Sequence, residues 1–303
     1  IYDEPFADSS QIPTHLVAAL TRRHVTVALS GDGGDELFLG YGRYAWVRRL
    51  WRLRRGLPAP ARRGLAGMLL ARPAEGWDCL TRRVPPALAR RLPAARTGER
   101  LHKLAGLLET DDPLEIFLGA MTHWRERLVP GVTAVGSRLS DPGERPDLPD
   151  LLDQMAYLDL VTYLPDDILA KVDRATMAVS LESRIPLLDP DVVELASRIP
   201  ASVKRRGGTA KWPLRQVLER YVPPELFDRP KMGFAVPVGA WLRGPLRDWA
   251  ETLLAERRLR DEGYLDPAPV RRAWSDHLEG RGTTHHLLWD VLMFQSWLET
   301  PSH

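Results

Sequence analysis

Cysteine occurs once in this chain of 303 residues, as Cys79. A single thiol excludes an intramolecular disulfide framework and suits a reducing compartment, so the expected location is the cytoplasm. No histidine stands close to Cys79 in sequence, which makes it a buried structural thiol rather than a nucleophile. No apolar run approaches the length of a membrane span, and the first residues carry no signal-peptide pattern. Net charge is also missing: the formal value is +2, too small to argue for nucleic acid or an acidic membrane surface as a partner. Lysine is scarce, with five among 42 basic residues. Internal repeats and low-complexity segments are absent.

What remains is a chain with 44% apolar residues, long enough for one large core or two small ones. Arginines crowd the stretch from Arg43 to Arg100. Within Trp46-Val-Arg-Arg-Leu-Trp-Arg-Leu-Arg-Arg55, Trp46, Leu50 and Leu53 recur at helical spacing, which predicts a helix with its arginines on a solvated face. Ile12, Leu16, Val17 and Leu20 form another apolar stripe and predict a helix ahead of a strand at Val25–Leu29. Prolines break residues 56–110 into short helical pieces. Pro130–Pro149 reads as a surface loop. Pro165-Asp-Asp and Pro190-Asp191 each place proline and acid in a first helical turn, and His285–Leu298 is apolar enough for a core helix.

The most informative segment is Val25-Thr-Val-Ala-Leu29-Ser30-Gly31-Asp32-Gly33-Gly34-Asp35-Glu36-Leu37-Phe38. A β-type run ends in a turn rich in glycine and carboxylate, and a helical pattern follows, predicted to run from Asp35 or Glu36 into the arginine-rich segment. Strand, small-residue loop and helix in this order can offer backbone N–H groups to phosphate. Two aspartates would repel that phosphate unless a hard cation such as Mg²⁺ stood between them. A tight turn with a solvated acidic helix cap is the plainer reading, and this segment alone leaves both open.

Four segments in order carry a resemblance. Ser30-Gly-Asp-Gly-Gly-Asp-Glu-Leu-Phe-Leu-Gly-Tyr-Gly-Arg-Tyr44 closely resembles the signature of the synthetase domain of glutamine-hydrolysing asparagine synthases. Tyr2-Asp-Glu-Pro-Phe-Ala-Asp-Ser-Ser-Gln-Ile-Pro13 is similar to the segment before it. The stretch from Tyr163-Leu-Pro-Asp-Asp167 through Lys171-Val-Asp-Arg174 and Glu182-Ser-Arg184 to Asp189 resembles the second long motif. Arg229-Pro-Lys-Met-Gly-Phe-Ala-Val-Pro237 matches the third, with Trp241-Leu-Arg-Gly-Pro245 after it.

The resemblance implies an α/β fold of the adenine-nucleotide α-hydrolase type, a Rossmann-like parallel sheet with a helical C-terminal region. Relatives open with a glutaminase domain and a Ser-Gly-Gly-x-Asp-Ser pyrophosphate loop. Neither occurs here, so residues 1–303 are expected to be the C-terminal part of the synthetase domain, mainly helical and inactive alone. The implied reaction joins aspartate, ATP and ammonia from glutamine into asparagine through β-aspartyl-AMP. Acceptors other than aspartate stay open, as in β-lactam synthetases, lasso-peptide cyclases and exopolysaccharide-cluster amidotransferases, and so does a non-catalytic nucleotide-binding scaffold. A homodimer is one assembly the resemblance leaves open. No nucleic acid or membrane is expected as a partner.

By resemblance, Ser30, Gly31 and Gly33 contact ATP, and Asp35 is the Mg²⁺ ligand, with helix capping as the other reading. Asp32 matches an acidic position important for the acyl-adenylate step, and Lys231 matches a lysine that approaches the phosphates and the reacting adenylate. Glu36 and Tyr44 read as structural, while Tyr41 could line the pocket or pack. Lys171, Asp173, Arg174, Glu182 and Arg184 are charges among apolar residues and must pair if buried. Asp173–Arg174 and Glu182–Arg184 are expected mainly as buried ionic scaffolding, with a direct substrate role for Asp173 or Glu182 as the other reading. The adjacent His285 and His286 point apart on a helix and do not suggest zinc.

Overall fold

A computed structural model describes residues 1–72, 76–77, 101, 105–106, 108, 110–124, 126–132, 141, 143, 145, 147–228, 236–281 and 284–300. Cys79 and Lys231 lie outside them, as does most of the third motif. The chain divides into two compact units, Ile1–Tyr41 with His123–His303, and Gly42–Thr122.

In the first unit the elements used below are α1 (Gln11–Arg22), β1 (Val27–Leu29), α2 (Gly34–Leu37), α3 (Leu151–Val161), α4 (Ala170–Met177), β2 (Glu182–Arg184), α5 (Pro190–Arg198), α6 (Trp212–Leu218), α7 (Val238–Arg243), α8 (Pro267–Leu278) and α9 (His285–Leu298). Helix dominates. Among the described residues the sheet has two strands, β1 and β2, running parallel, with Val27 opposite Glu182 and Leu29 opposite Arg184. The unit is thus a mostly helical α/β structure with a small parallel sheet.

The larger core lies where α7, α8 and α9 meet, around Leu242, Val270, Trp274, Leu288 and Leu292. Full burial of each such side chain contributes about 1.5–3 kcal/mol, and His285–Leu298 is the core helix its composition predicts. Asp189 caps α5 by accepting from the Asp191 amide at 3.0 Å, with Pro190 in the first turn. Pro165-Asp-Asp opens a π-helical turn, Leu164–Leu169, which runs into α4. A second, smaller core sits under the glycine-rich turn: Leu37, Phe38 and Ala196 are buried, with Leu187, Leu188 and Leu214 against them. It ties α2 to α5 and to the chain after β2.

Several sequence expectations need correction. The helix after the turn is interrupted: α2 has four residues, and a new helix, Gly42–Arg55, starts in the second unit. The break falls at Leu39, whose φ of 57° leaves helical space. Helix α1 forms, but Leu16, Val17 and Leu20 are exposed and Ala18 is the residue it buries. In Gly42–Arg55 the stripe is also rotated, with Tyr44, Val47 and Arg54 buried while Trp46 and Leu53 face out. Arg54 can go inward because it pairs with Asp111 and lies over the Trp51 ring at 4.9 Å. Asp173 and Arg174 are exposed, with Arg174 reaching Asp3 at 2.9 Å. Glu182 and Arg184 pair at 2.7 Å on the exposed side of β2. Neither is a buried scaffold.

Candidate functional site

The turn begins where β1 ends. The Ser30 amide donates to the Arg184 carbonyl at 2.8 Å, so the ladder runs one residue past Leu29 and fixes the start of the turn. The Ser30 hydroxyl donates to the Asp32 carboxylate, and the Asp32 amide donates back to Ser30 Oγ at 3.3 Å. Two side chains named by the sequence are therefore brought together by a local exchange of hydrogen bonds. Gly33 follows with φ 78°, a left-handed conformation that costs an L-residue about 1–2 kcal/mol. A Cβ there would also run into the Leu188 side chain, with Cγ at 3.1 Å. Gly31 differs: a Cβ there would meet nothing within 4 Å, so the Ser30–Asp32 side of the turn is open while its Gly33–Gly34 side is packed.

Asp35 lies one turn of chain further. Its carboxylate meets the Lys211 ammonium at 2.9 Å, both side chains about one-third exposed. Lys211 was not picked out in the sequence. It reaches this place because Gly207 and Gly208, with φ of 58° and 84°, close a hairpin between Arg206 and Thr209. The Lys211 amide then donates to the Phe38 carbonyl at 3.1 Å, and Arg205 donates to that of Leu39 at 3.3 Å. A signal existed in the scarcity of lysine, of which the chain has five.

Glu36 points inward and is 2% exposed. Burial pushes its carboxyl above the ordinary carboxylate range, against the hydrogen bond from the Tyr41 hydroxyl, which donates at 2.8 Å. Burial and then the Glu36 charge push the Tyr41 hydroxyl up, so Tyr41 stays a donor. Its ring meets that of Tyr163 edge-on, centroids 6.0 Å apart.

Tyr163 also lines a cavity of about 480 Å³, with Asp8, Asp166, Asp167, His123, Asp290 and Trp289 among its walls. Lys171, nearly buried, pairs with Asp8 and stands 3.9 Å from Asp167. Burial alone would push the Asp8 carboxyl up. The hydrogen bonds from Lys171 and from the Ser10 hydroxyl and amide outweigh it, and Asp8 sits below the ordinary range. Burial, then the Asp8 charge, raise Asp167 to about 6. In the same cavity His123 Nδ1 meets Asp290 at 2.9 Å, and that hydrogen bond raises the imidazole above its usual value. The pairing of a buried Lys171 was expected from the sequence, but its partners and this charged cavity were not, although Asp8 and Asp167 fall inside quoted motifs.

Among the described residues there is no group of three or more His, Cys, Asp or Glu that could hold a metal. Mg²⁺ needs no such cage, since it takes one or two carboxylates and fills its other positions with water and phosphate. Asp35 fits as one such carboxylate. No helix among the described residues is long and apolar enough to cross a membrane.

These features define a mostly helical α/β protein whose candidate site is a glycine- and acid-rich turn at the carboxyl end of a parallel strand, where open α/β sheets bind ligands. The family model described as asparagine synthase matches residues 1–299, and the chain belongs to that family. It is 32% identical over 298 residues to asparagine synthetase [glutamine-hydrolyzing] 1 of Bacillus subtilis, a match covering 98% of this chain and 44% of that protein. It is 37% identical over 299 residues to a Mycobacterium tuberculosis H37Rv protein provisionally named a glutamine-hydrolysing asparagine synthetase, covering 97% of this chain and 42% of that one. The chain thus spans less than half the length of these relatives.

Proposed function

We propose that this chain is the C-terminal part of an ATP-dependent, amide-forming synthetase domain of the adenine-nucleotide α-hydrolase type, working in the cytoplasm. The acceptor carboxylate attacks the α-phosphorus of ATP, giving an acyl-adenylate and pyrophosphate. Ammonia released from glutamine by a glutaminase domain outside this chain then displaces AMP. Aspartate is the acceptor we favour, with asparagine as product. Asp32 and Lys231 act at the adenylate step, Ser30, Gly31 and Gly33 hold ATP, and Asp35 takes Mg²⁺, which when bound supplies charge neutralisation for the phosphates.

The observation that carries this reading is the open side of the turn. Ser30 and Asp32 are fixed at the carboxyl end of β1 with free space above Gly31, so phosphate or carboxylate can approach the backbone. Glycine-lined turns after parallel strands are suited to that approach. What the chain's own residues would do follows from their chemistry: Ser30 offers a hydroxyl, Asp32 a carboxylate already oriented by Ser30, and Lys231 a point charge that counters charge building on the leaving pyrophosphate.

A second version of the same chemistry takes as acceptor another carboxylate that, like aspartate, bears an amino group. The acid-lined cavity beyond Tyr163 would suit the ammonium of either acceptor. The experiment is isotopic. Full-length protein is given ATP, glutamine and aspartate labelled with ¹⁸O in the side-chain carboxylate, and AMP is examined by mass spectrometry. One ¹⁸O per AMP is expected, with pyrophosphate as co-product. Unlabelled AMP, or ADP and phosphate, would remove the adenylate reading. Labelled AMP from a different amino-bearing carboxylate, and not from aspartate, would select the second version.

A further inference from the structure

We propose that Lys211 is the positioning residue of the turn: its ammonium holds the Asp35 carboxylate while no cation is bound, and moves to the nucleotide phosphates when a divalent cation takes Asp35. The inference rests on the nucleotide reading of the turn given above.

Three observations carry it. Lys211 has φ 54° and ψ 33°, a left-handed conformation that disfavours any residue with a Cβ. A lysine is kept where glycine or asparagine would be easier, and local strain of this kind points to a group needed in place. Next, the pair packs directly on the Gly40 backbone, where only glycine leaves it room: a Cβ on Gly40 would fall on Asp35 Oδ1 and Lys211 Cε. Finally, the pair is neither dry nor fully solvated, with the lysine side chain 27% exposed and the aspartate 30%. An ion pair in that setting is weak enough to exchange. Mg²⁺ or Mn²⁺ is a harder and more highly charged partner for a carboxylate than an ammonium. Once displaced, the flexible four-carbon arm carries a compact charge that already lies against the turn, since a Cβ on Gly34 would stand 3.6 Å from Lys211 Nζ.

A plain structural salt bridge would affect stability alone. The proposal makes two binding constants move, in directions that depend on the substituent. In full-length protein without nucleotide, Mn²⁺ binding followed by electron paramagnetic resonance should tighten about two- to five-fold in Lys211→Met, the range set by removing a partly exposed competing ion pair. In Lys211→Arg it should loosen, because the planar fork can grip the carboxylate with two bonds. ATP binding in saturating Mg²⁺, read by calorimetry, should weaken about ten-fold in Lys211→Met. Lys211→Arg keeps a cation opposite Asp35, so it serves as the folded comparison should Lys211→Met unfold; loosened Mn²⁺ binding in that variant then carries the test.

Two failures are distinguishable. If wild-type protein binds neither ATP nor Mn²⁺ in a manner sensitive to Asp35→Asn, both the nucleotide reading and this proposal fall. If wild-type binds both with that sensitivity, but both Lys211 variants leave the constants unchanged and shift only the melting temperature, Lys211 is a structural partner and this proposal alone is overturned.

Discussion

Gly33→Ala tests how the turn is built. The substitution adds one methyl to a residue held at φ 78°, which costs about 1–2 kcal/mol through the backbone alone. The new Cβ also runs into Leu188, whose Cγ would lie at 3.1 Å and whose Cδ2 is closer still. Leu188 packs with Leu37, Phe38 and Ala196, so it cannot swing away freely, and overpacking of this kind costs about 1–3 kcal/mol. The sum is about 2–5 kcal/mol, measurable as a lowered midpoint in urea unfolding. Leu188→Ala alone should cost about 2 kcal/mol, at the low end for a leucine that is only half-buried. The two together should cost less than the sum by about 1 kcal/mol or more, because removing Leu188 relieves the collision but not the backbone strain. A double-mutant cycle isolates that coupling. Strict additivity would refute the Leu188 contact, and a Gly33→Ala midpoint equal to wild type would refute the left-handed geometry as well.

Asp167 is raised to about 6 from an ordinary value of 3.8. Its protonated form is favoured in the folded state, so the stability it contributes is present below about pH 3.8 and is lost as pH rises through about 6. Asp167→Asn should therefore raise the melting temperature at pH 7.5 and change it little at pH 4; equal shifts at both would sink the assignment. Lys171→Met should lower stability by about 3 kcal/mol in urea unfolding, because it leaves Asp8 and Asp167 facing each other without their shared cation. A near-neutral result would mean water already solvates the pair. Asp35→Asn should raise the Mg²⁺ concentration needed for half-maximal turnover, since an amide is a poorer ligand for a hard cation; wild-type dependence would leave Asp35 as a structural partner of Lys211. Lys231→Met should lower kcat about 10²–10³-fold with a much smaller change in KM for ATP, and near-normal kcat would remove Lys231 from the catalytic residues.

Local signals made parts of this structure legible in sequence. Pro190-Asp191 marks a helix start by chemistry confined to a few residues, and α5 begins there. The run of apolar residues in His285–Leu298 left a core helix as the natural outcome. The glycine-rich turn after β1 was legible because glycine spacing and a preceding β-branched run act over a short range. What failed was partner-dependent. The outward faces of α1 and of Gly42–Arg55 follow from what each helix packs against, which periodicity does not encode. Arg54 goes inward because Asp111 waits for it, a pairing of residues far apart in sequence. The same applies to the site: Ser30 with Asp32 is a local contact, while Lys211 with Asp35 and Lys171 with Asp8 need the tertiary fold. Left-handed Leu39 broke the expected long helix, and nothing in leucine's identity announces that conformation.

The central claim is that the Ser30–Asp35 turn serves carboxylate activation by ATP. It is tested most directly by exchange of labelled pyrophosphate into ATP, with full-length protein and with ammonia and glutamine both withheld. The account predicts exchange that depends on an acceptor carboxylate, aspartate foremost, and that falls sharply in Asp32→Asn at saturating Mg²⁺. Absence of exchange with aspartate and with every other amino-bearing carboxylate tried, in protein that binds ATP, would contradict it.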